Sequence, residues 1–251
     1  MVWPSLTPEQ RRKICLAIVG IWTELARTRF DAIGSIRMKK ENPSIFYVGP
    51  LAFIPSRSEN DIGPPNPARC GPFPTARTWL TAMARQDLAF IRKKSFNSQE
   101  RMRISETLTL VSNSPQTHLD TKWTGPMTTP LAANVLRHVD LQFHNIIVDI
   151  SDPTVIKGVI DWEGAMIVPL WSLRPEFLMS VDAQKGIPPD VYLQLRTLCL
   201  RNYVLAVPEW TKMLEATKEV RRLYVRAVYS QCRPEEEFLQ KLMNSAASPL
   251  R

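Results

Sequence analysis

The sequence predicts an α+β domain that is mainly α, and three observations predict it. Apolar residues recur at helical spacing in long stretches toward both ends of the chain. Between them lie only short β-forming runs, Ile146–Val148 and Val155–Ile160, too brief for a large sheet. No strand–helix alternation repeats along the chain, which argues against a doubly wound parallel sheet. The 251 residues are 44% hydrophobic and 22% charged, enough to bury a substantial core.

Taken in order, the first helix is signalled by Thr7 as cap, Pro8 in the first turn and Gln10 completing a capping box. Ile14, Ile18, Ile21, Trp22 and Leu25 then form its apolar side, and the pattern runs to about Arg29. Ile45–Val48 reads as a short strand before Gly49-Pro50. From Pro55 to Pro74 the chain is rich in Pro, Gly, Ser and Asn and reads as a long surface loop. A second helix is expected from Thr75 to about Lys94, with Trp79, Leu80, Met83, Leu88 and Ile91 inward. A third runs from Ser98 to about Val111, followed by loop from Ser112 to Pro130. The two β runs are joined by a turn at Ser151-Asp-Pro153, with Asp149 and Asp152 as turn residues. Three helices are expected beyond them: Pro189 to Leu205, Pro208 to about Tyr229, and one opened by Pro234-Glu-Glu-Glu237.

Several function classes fall away on composition. No run of 18 apolar residues exists, so no membrane span is expected. The start, Met1-Val-Trp-Pro-Ser-Leu-Thr7, lacks the basic opening and apolar core of a signal peptide. Cys15, Cys70, Cys199 and Cys232 are scattered and form no CxxC pair, which points away from zinc or a disulfide framework and toward a reducing, cytoplasmic location. The net charge is +8, but the basic clusters are short and two of the three sit on helical faces, so nucleic-acid binding is not expected.

The centre of the chain carries the chemistry. Leu136 to Asp149 contains His138-x-Asp140-Leu141-x-x-x-Asn145, and Val159-Ile-Asp-Trp-Glu163 supplies a second aspartate, Asp161, at the end of an apolar run. Phosphoryl transfer asks for little covalent help. It needs a carboxylate to orient the attacking hydroxyl and oxygen ligands for magnesium on the phosphates. Asp140 suits the first task; Asn145 and Asp161 suit the second. The spacing lets a tight loop turn Asp140 and Asn145 toward one point. A hairpin from Ile146–Val148 to Val155–Ile160 then delivers Asp161 beside Asn145.

His138-Val-Asp-Leu-Gln-Phe-His-Asn145 with Ile160-Asp-Trp-Glu163 resembles the aminoglycoside phosphotransferase and choline kinase-like superfamily, a branch of the protein kinase-like fold. The likeness is greatest to the fungal aminoglycoside phosphotransferase domain proteins. Weaker matching segments are Arg29-Phe-Asp-Ala-Ile-Gly-Ser35, Tyr47-Val-Gly-Pro50, Gly71-Pro-Phe73 and Trp79-Leu80, so the resemblance runs from about Leu6 to about Trp171. It implies Asp140 as catalytic base, with His138 a structural member of the catalytic loop. Asn145 and Asp161 would hold magnesium and, through it, ATP. Glu163 is carried over as an outer-shell or substrate-side carboxylate. His144 falls at a variable family position and reads as structural or solvent-facing. His118 has no identifiable partner, and Trp162 and Trp171 are expected in the core.

The resemblance is to the C-terminal lobe of such enzymes. The chain has nine glycines and no G-x-G-x-x-G or G-x-x-x-x-G-K-[ST] among them, and no segment before Asp140 reads as a five-stranded sheet with a central lysine. Residues 1–251 are therefore expected to form one kinase-like C-terminal lobe. Residues 1–60 would be the inter-lobe helix and connecting segment. Residues 75–251 would be the helical lobe, with the catalytic loop at 136–149 and the metal strand at 155–163. Three functions stay open: ATP- and magnesium-dependent phosphorylation of a small-molecule hydroxyl, a non-catalytic binding or regulatory module with a protein partner over the surface the missing lobe would cover, and a helical interaction protein with an accidental motif. Glu209, Glu215, Glu219 and Glu235 to Glu237 could form an acidic acceptor pocket, but they are interleaved with Lys and Arg, so a solvated face is the simpler reading.

Overall fold

The computed structural model describes residues 3–52, 70–93, 98–115, 117–122, 132–173, 175 and 187–228. Among them are six α-helices and seven strands. The fold is α+β, with small antiparallel sheets set among helices, as expected.

Helix α1 (Pro8–Arg27) starts on the predicted capping box. The Gln10 N–H donates to Thr7 Oγ1 at 3.2 Å, and the Thr7 N–H donates to Gln10 Oε1 at 2.9 Å. Ile14, Ile18, Trp22 and Leu25 are buried as anticipated. The helix stops two residues short of the expected end, because Arg29–Phe30 forms strand β1 and pairs with Asn134–Val135. Tertiary pairing overrides local helical preference there. Helices α2 (Ala76–Lys93) and α3 (Ser98–Asn113) pack on one another close to their predicted bounds. Arg77 ties them together, donating to Ser114 O at 2.9 Å and to both carboxylate oxygens of Asp120 at 2.6 and 2.8 Å.

The β structure is more dispersed than the sequence suggests. Strands β2 (Ser35–Met38) and β3 (Phe46–Gly49) form a hairpin. Strands β4 (Asn134–Arg137) and β7 (Met166–Pro169) pair antiparallel, and β1 adds to β4. Strands β5 (Ile146–Val148) and β6 (Ile156–Val159) form the predicted hairpin. Its turn is built by Asp149, whose Oδ1 accepts from the Ser151 N–H at 2.8 Å while its Oδ2 meets Lys157 at 3.0 Å. The β2–β3 hairpin docks on β7 through Gly34, which exchanges backbone hydrogen bonds with Ile167 at 2.7 and 3.3 Å. Within the hairpin, a Cβ at Gly34 would stand 2.2 Å from the Gly49 carbonyl oxygen, so only glycine lets the chain pass this close to the end of β3.

The C-terminal helices correct one expectation. The predicted helix from Pro208 to about Tyr229 is two, α5 (Pro208–Ala216) and α6 (Lys218–Val228), after α4 (Pro189–Ala206). Thr217 breaks it: fully buried, it leaves helical geometry at ψ 16° while its hydroxyl donates to Met213 O. The break lets α6 turn back onto α2 and α3, burying Val220 and Tyr224. The core runs through Trp22, Trp79, Trp171 and Tyr203, and Tyr224 meets Trp79 and Trp171 at 5.5 and 5.9 Å between ring centres. Cys15 on α1 and Cys199 on α4 are buried against each other as free thiols, and their mutual hydrogen bond together with burial pushes the Cys15 thiol well up. No helix among the described residues is long and apolar enough to cross a membrane. The last predicted helix, from Pro234, and the loop at 53–69 lie outside the described residues.

Candidate active site

Everything from His138 to Ala165 is an excursion that leaves the end of β4 and returns at the start of β7, the two strands pairing at Arg137 and Met166. Its two limbs are thereby brought to one end of the sheet. The β5–β6 pairing, Ile146 opposite Val159, repeats the constraint one layer out. Beyond that pair the Ile160 N–H donates to the Asn145 carbonyl at 2.9 Å, which places Asp161 next to the end of the loop that carries Asp140 and Asn145.

His138 locks the two limbs together. It is 1% exposed. Its Nδ1 accepts the Asp140 backbone N–H at 3.1 Å, so its Nε2 carries the proton and donates to the Ile160 carbonyl at 3.0 Å. One ring thus spans from the candidate base to the residue before the candidate metal ligand. The Asp140 carbonyl accepts from the Gln142 N–H at 2.9 Å and from Asn145 Nδ2 at 2.8 Å. Since a carbonyl can only accept, this bond sets the Asn145 amide, with Nδ2 toward the Asp140 carbonyl and Oδ1 on the other side. Asn145 is buried, whereas Asp140 is half exposed.

Asp161 is exposed and is the one residue other than glycine with positive φ among the described residues, at 60°. A side chain in the left-handed region costs about 1 kcal/mol or more, so such residues collect where a side chain must point in a set direction. Gly164, with φ 75°, and the Ala165 N–H donating to Trp162 O at 3.0 Å turn the chain back toward β7. Glu163 is exposed within this turn.

One expectation changes. Trp162 is not core: it is 41% exposed, donates its indole N–H to Val159 O at 2.9 Å, and meets the His138 ring edge-on at 4.8 Å. Trp171 is core, at 1% exposed. His144, read from the sequence as structural or solvent-facing, is solvent-facing, and it also places Nε2 2.9 Å from Asp140 Oδ2. Its offset of four residues from Asp140 was the available signal, because the 3-10 turn Phe143–Asn145 brings it back over the carboxylate. The side chain of His118 lies outside the described residues.

Among the described residues no three His, Cys, Asp or Glu side chains converge on a common metal position. This donor set does not make an all-protein cage. It fits magnesium, which takes one or two protein oxygens and completes its shell with phosphate oxygens and water. Of the acidic candidates on the C-terminal helices, Glu209 faces Arg29 at 3.5 Å and Glu219 faces Arg222 at 2.7 Å, in line with a charge-paired surface rather than an acidic pocket.

Residues 68–172 match the profile of the phosphotransferase enzyme family, a span that contains the whole loop, hairpin and turn just described. No curated protein and no solved structure matches the chain. The segment of this chain that carries Asp140, Asn145 and Asp161 is therefore similar to the phosphotransferase enzyme family, consistent with the aminoglycoside phosphotransferase and choline kinase-like superfamily.

Proposed function

We propose that this domain transfers the γ-phosphoryl group of ATP to a small-molecule hydroxyl, with Asp140 as base and Asn145 and Asp161 as magnesium ligands. The observation that carries the reading is the His138 bridge, which holds the Asp140 loop against the strand end that presents Asp161. In the reaction the acceptor hydroxyl gives its proton to Asp140, its oxygen bonds to the γ-phosphorus, and the bond from that phosphorus to ADP breaks. Bound magnesium would neutralise charge on the phosphates. The chain's own residues orient the hydroxyl and hold the two limbs of the site in register. Glu163 would act from the acceptor side. We also propose that residues 1–251 form one kinase-like C-terminal lobe. Strands β1, β4 and β7 carry no lysine, and Lys157 on β6 is paired with Asp149.

Calorimetry of ATP binding to the full chain, with and without magnesium, tests the reading. Binding in the millimolar range or tighter that is lost in Asp161→Ala is expected. Phosphate transfer to a panel of small alcohols should then fall by roughly 10²- to 10⁴-fold in Asp140→Asn. Binding unaffected by Asp161→Ala, or transfer unaffected by Asp140→Asn, would sink it.

A second reading, a non-catalytic binding module, is favoured by one feature. Ile36, Met38 and Phe46 share a face of the β2–β3 hairpin, and all three are exposed, Phe46 by 63%. Folded protein that binds no nucleotide would turn the assignment this way.

A further inference from the structure

Within the proposed phosphotransferase reading, on which this inference rests, we propose that His144 is the positioning residue for Asp140, fixing which carboxylate oxygen faces the acceptor hydroxyl. Both side-chain donors that reach the carboxylate engage the same oxygen. His144 Nε2 lies 2.9 Å from Asp140 Oδ2, and Asn145 Nδ2 lies 3.4 Å from it. The second of these is long, because that amide is committed to the Asp140 carbonyl at 2.8 Å. His144 therefore supplies the stronger hold on the side chain. With Oδ2 anchored, the planar carboxylate has one orientation, and Oδ1 becomes the oxygen that receives the proton.

The hold is needed because Asp140 is not confined by packing. Its side chain is 48% exposed and that of His144 is 46% exposed. A half-exposed carboxylate rotates freely about χ2 unless a hydrogen bond fixes it, and phosphoryl transfer depends chiefly on positioning. The backbone makes the contact a built one. The Asn145 N–H donates to Gln142 O at 3.0 Å, closing the 3-10 turn on which His144 rides, and Phe143 beside it is stacked on Trp3 at 4.2 Å. The ring is thus carried by a turn that is itself pinned to the protein's first segment. In the transfer step the hydroxyl proton goes to Asp140 Oδ1, the acceptor oxygen bonds to phosphorus and ADP departs. His144 keeps its own proton throughout.

The test uses the full chain. His144→Ala should lower kcat roughly tenfold with KM for the acceptor little changed, the loss of about one oriented hydrogen bond in the transition state. His144→Gln, whose amide nitrogen reaches about as far as histidine Nε2, should recover most of that loss. In an Asp140→Ala background, His144→Ala should cost nothing further. Ring-nitrogen NMR at alkaline pH gives a readout free of turnover: His144 should sit in the single Nε2–H tautomer, and Asp140→Ala should return it to a mixture. A glutamine variant as slow as the alanine variant, or ring signals indifferent to Asp140→Ala, overturns the proposal. If the native chain transfers phosphate to no acceptor while the ring tautomer still follows Asp140, the pair stands as geometry. The phosphotransferase reading then falls, and the positioning role falls with it.

Discussion

Replacing His138 with phenylalanine isolates the bond that holds the candidate site together. The ring is buried at 1% exposed and lies edge-on to Trp162 at 4.8 Å. Phenylalanine keeps the shape and the aromatic contact and removes only the two hydrogen bonds, to the Asp140 N–H and the Ile160 carbonyl. Each bond is worth about 1 kcal/mol net, and an orphaned buried partner adds about 1 kcal/mol or more. Ile160 is 45% exposed, so water can reach its carbonyl, and the orphan penalty falls mainly on the Asp140 N–H. The expected loss is therefore about 2–3 kcal/mol, a large share of a typical domain's stability of about 5–15 kcal/mol. Urea denaturation of the full chain should show a lower midpoint with an unchanged slope. A His138→Phe midpoint within about 0.5 kcal/mol of the native chain would refute the bridge as a structural tie.

Three other outcomes follow from the same geometry. Gly34→Ala should destabilise by about 1–3 kcal/mol in the same denaturation assay, because its Cβ would meet the Gly49 carbonyl oxygen at 2.2 Å and push the start of β2 away from β3; an unchanged midpoint would show that the two strands can shift freely. Asp161→Gly relieves the φ of 60° and should leave thermal stability equal or raised by about 1 kcal/mol, while magnesium-dependent nucleotide binding is lost; a variant that is less stable and still binds would remove Asp161 from the site. The hydrogen bond from Arg77 holds the Asp120 carboxyl below its ordinary value. A depressed folded-state pKa contributes stability that is present above the unfolded value of about 3.9 and is lost as pH falls below it toward the folded value. Acid unfolding should accordingly be shallower in Asp120→Asn than in the native chain below about pH 4, and identical profiles would disprove the linkage.

Some of this protein is local and was legible in the amino-acid order. The capping box at Thr7 and Gln10, the apolar stripe of α1 and the turn at Asp149 each depend on residues within a few positions of one another. The grouping of His138, Asp140 and Asn145 was legible for the same reason, since one short loop holds all three. Other features depended on partners far along the chain. Met166–Pro169 became a buried strand because β4 lies thirty-odd residues earlier to pair with it, and Arg29–Phe30 left the helix for the same neighbour. Four residues carry too little periodicity to reveal either pairing. Thr217 was silent until α2 and α3 offered α6 a surface to turn onto.

By itself the sequence determined the α+β class and the residue types that suit phosphoryl transfer, because helical periodicity and a compact loop motif are local properties of a chain. Only the tertiary structure decided that Trp162 faces outward, that Asp161 adopts a left-handed backbone, and that His144 reaches Asp140. Each of those outcomes depends on how the excursion between β4 and β7 closes, and closure is set by hydrogen bonds between segments that sequence order keeps apart.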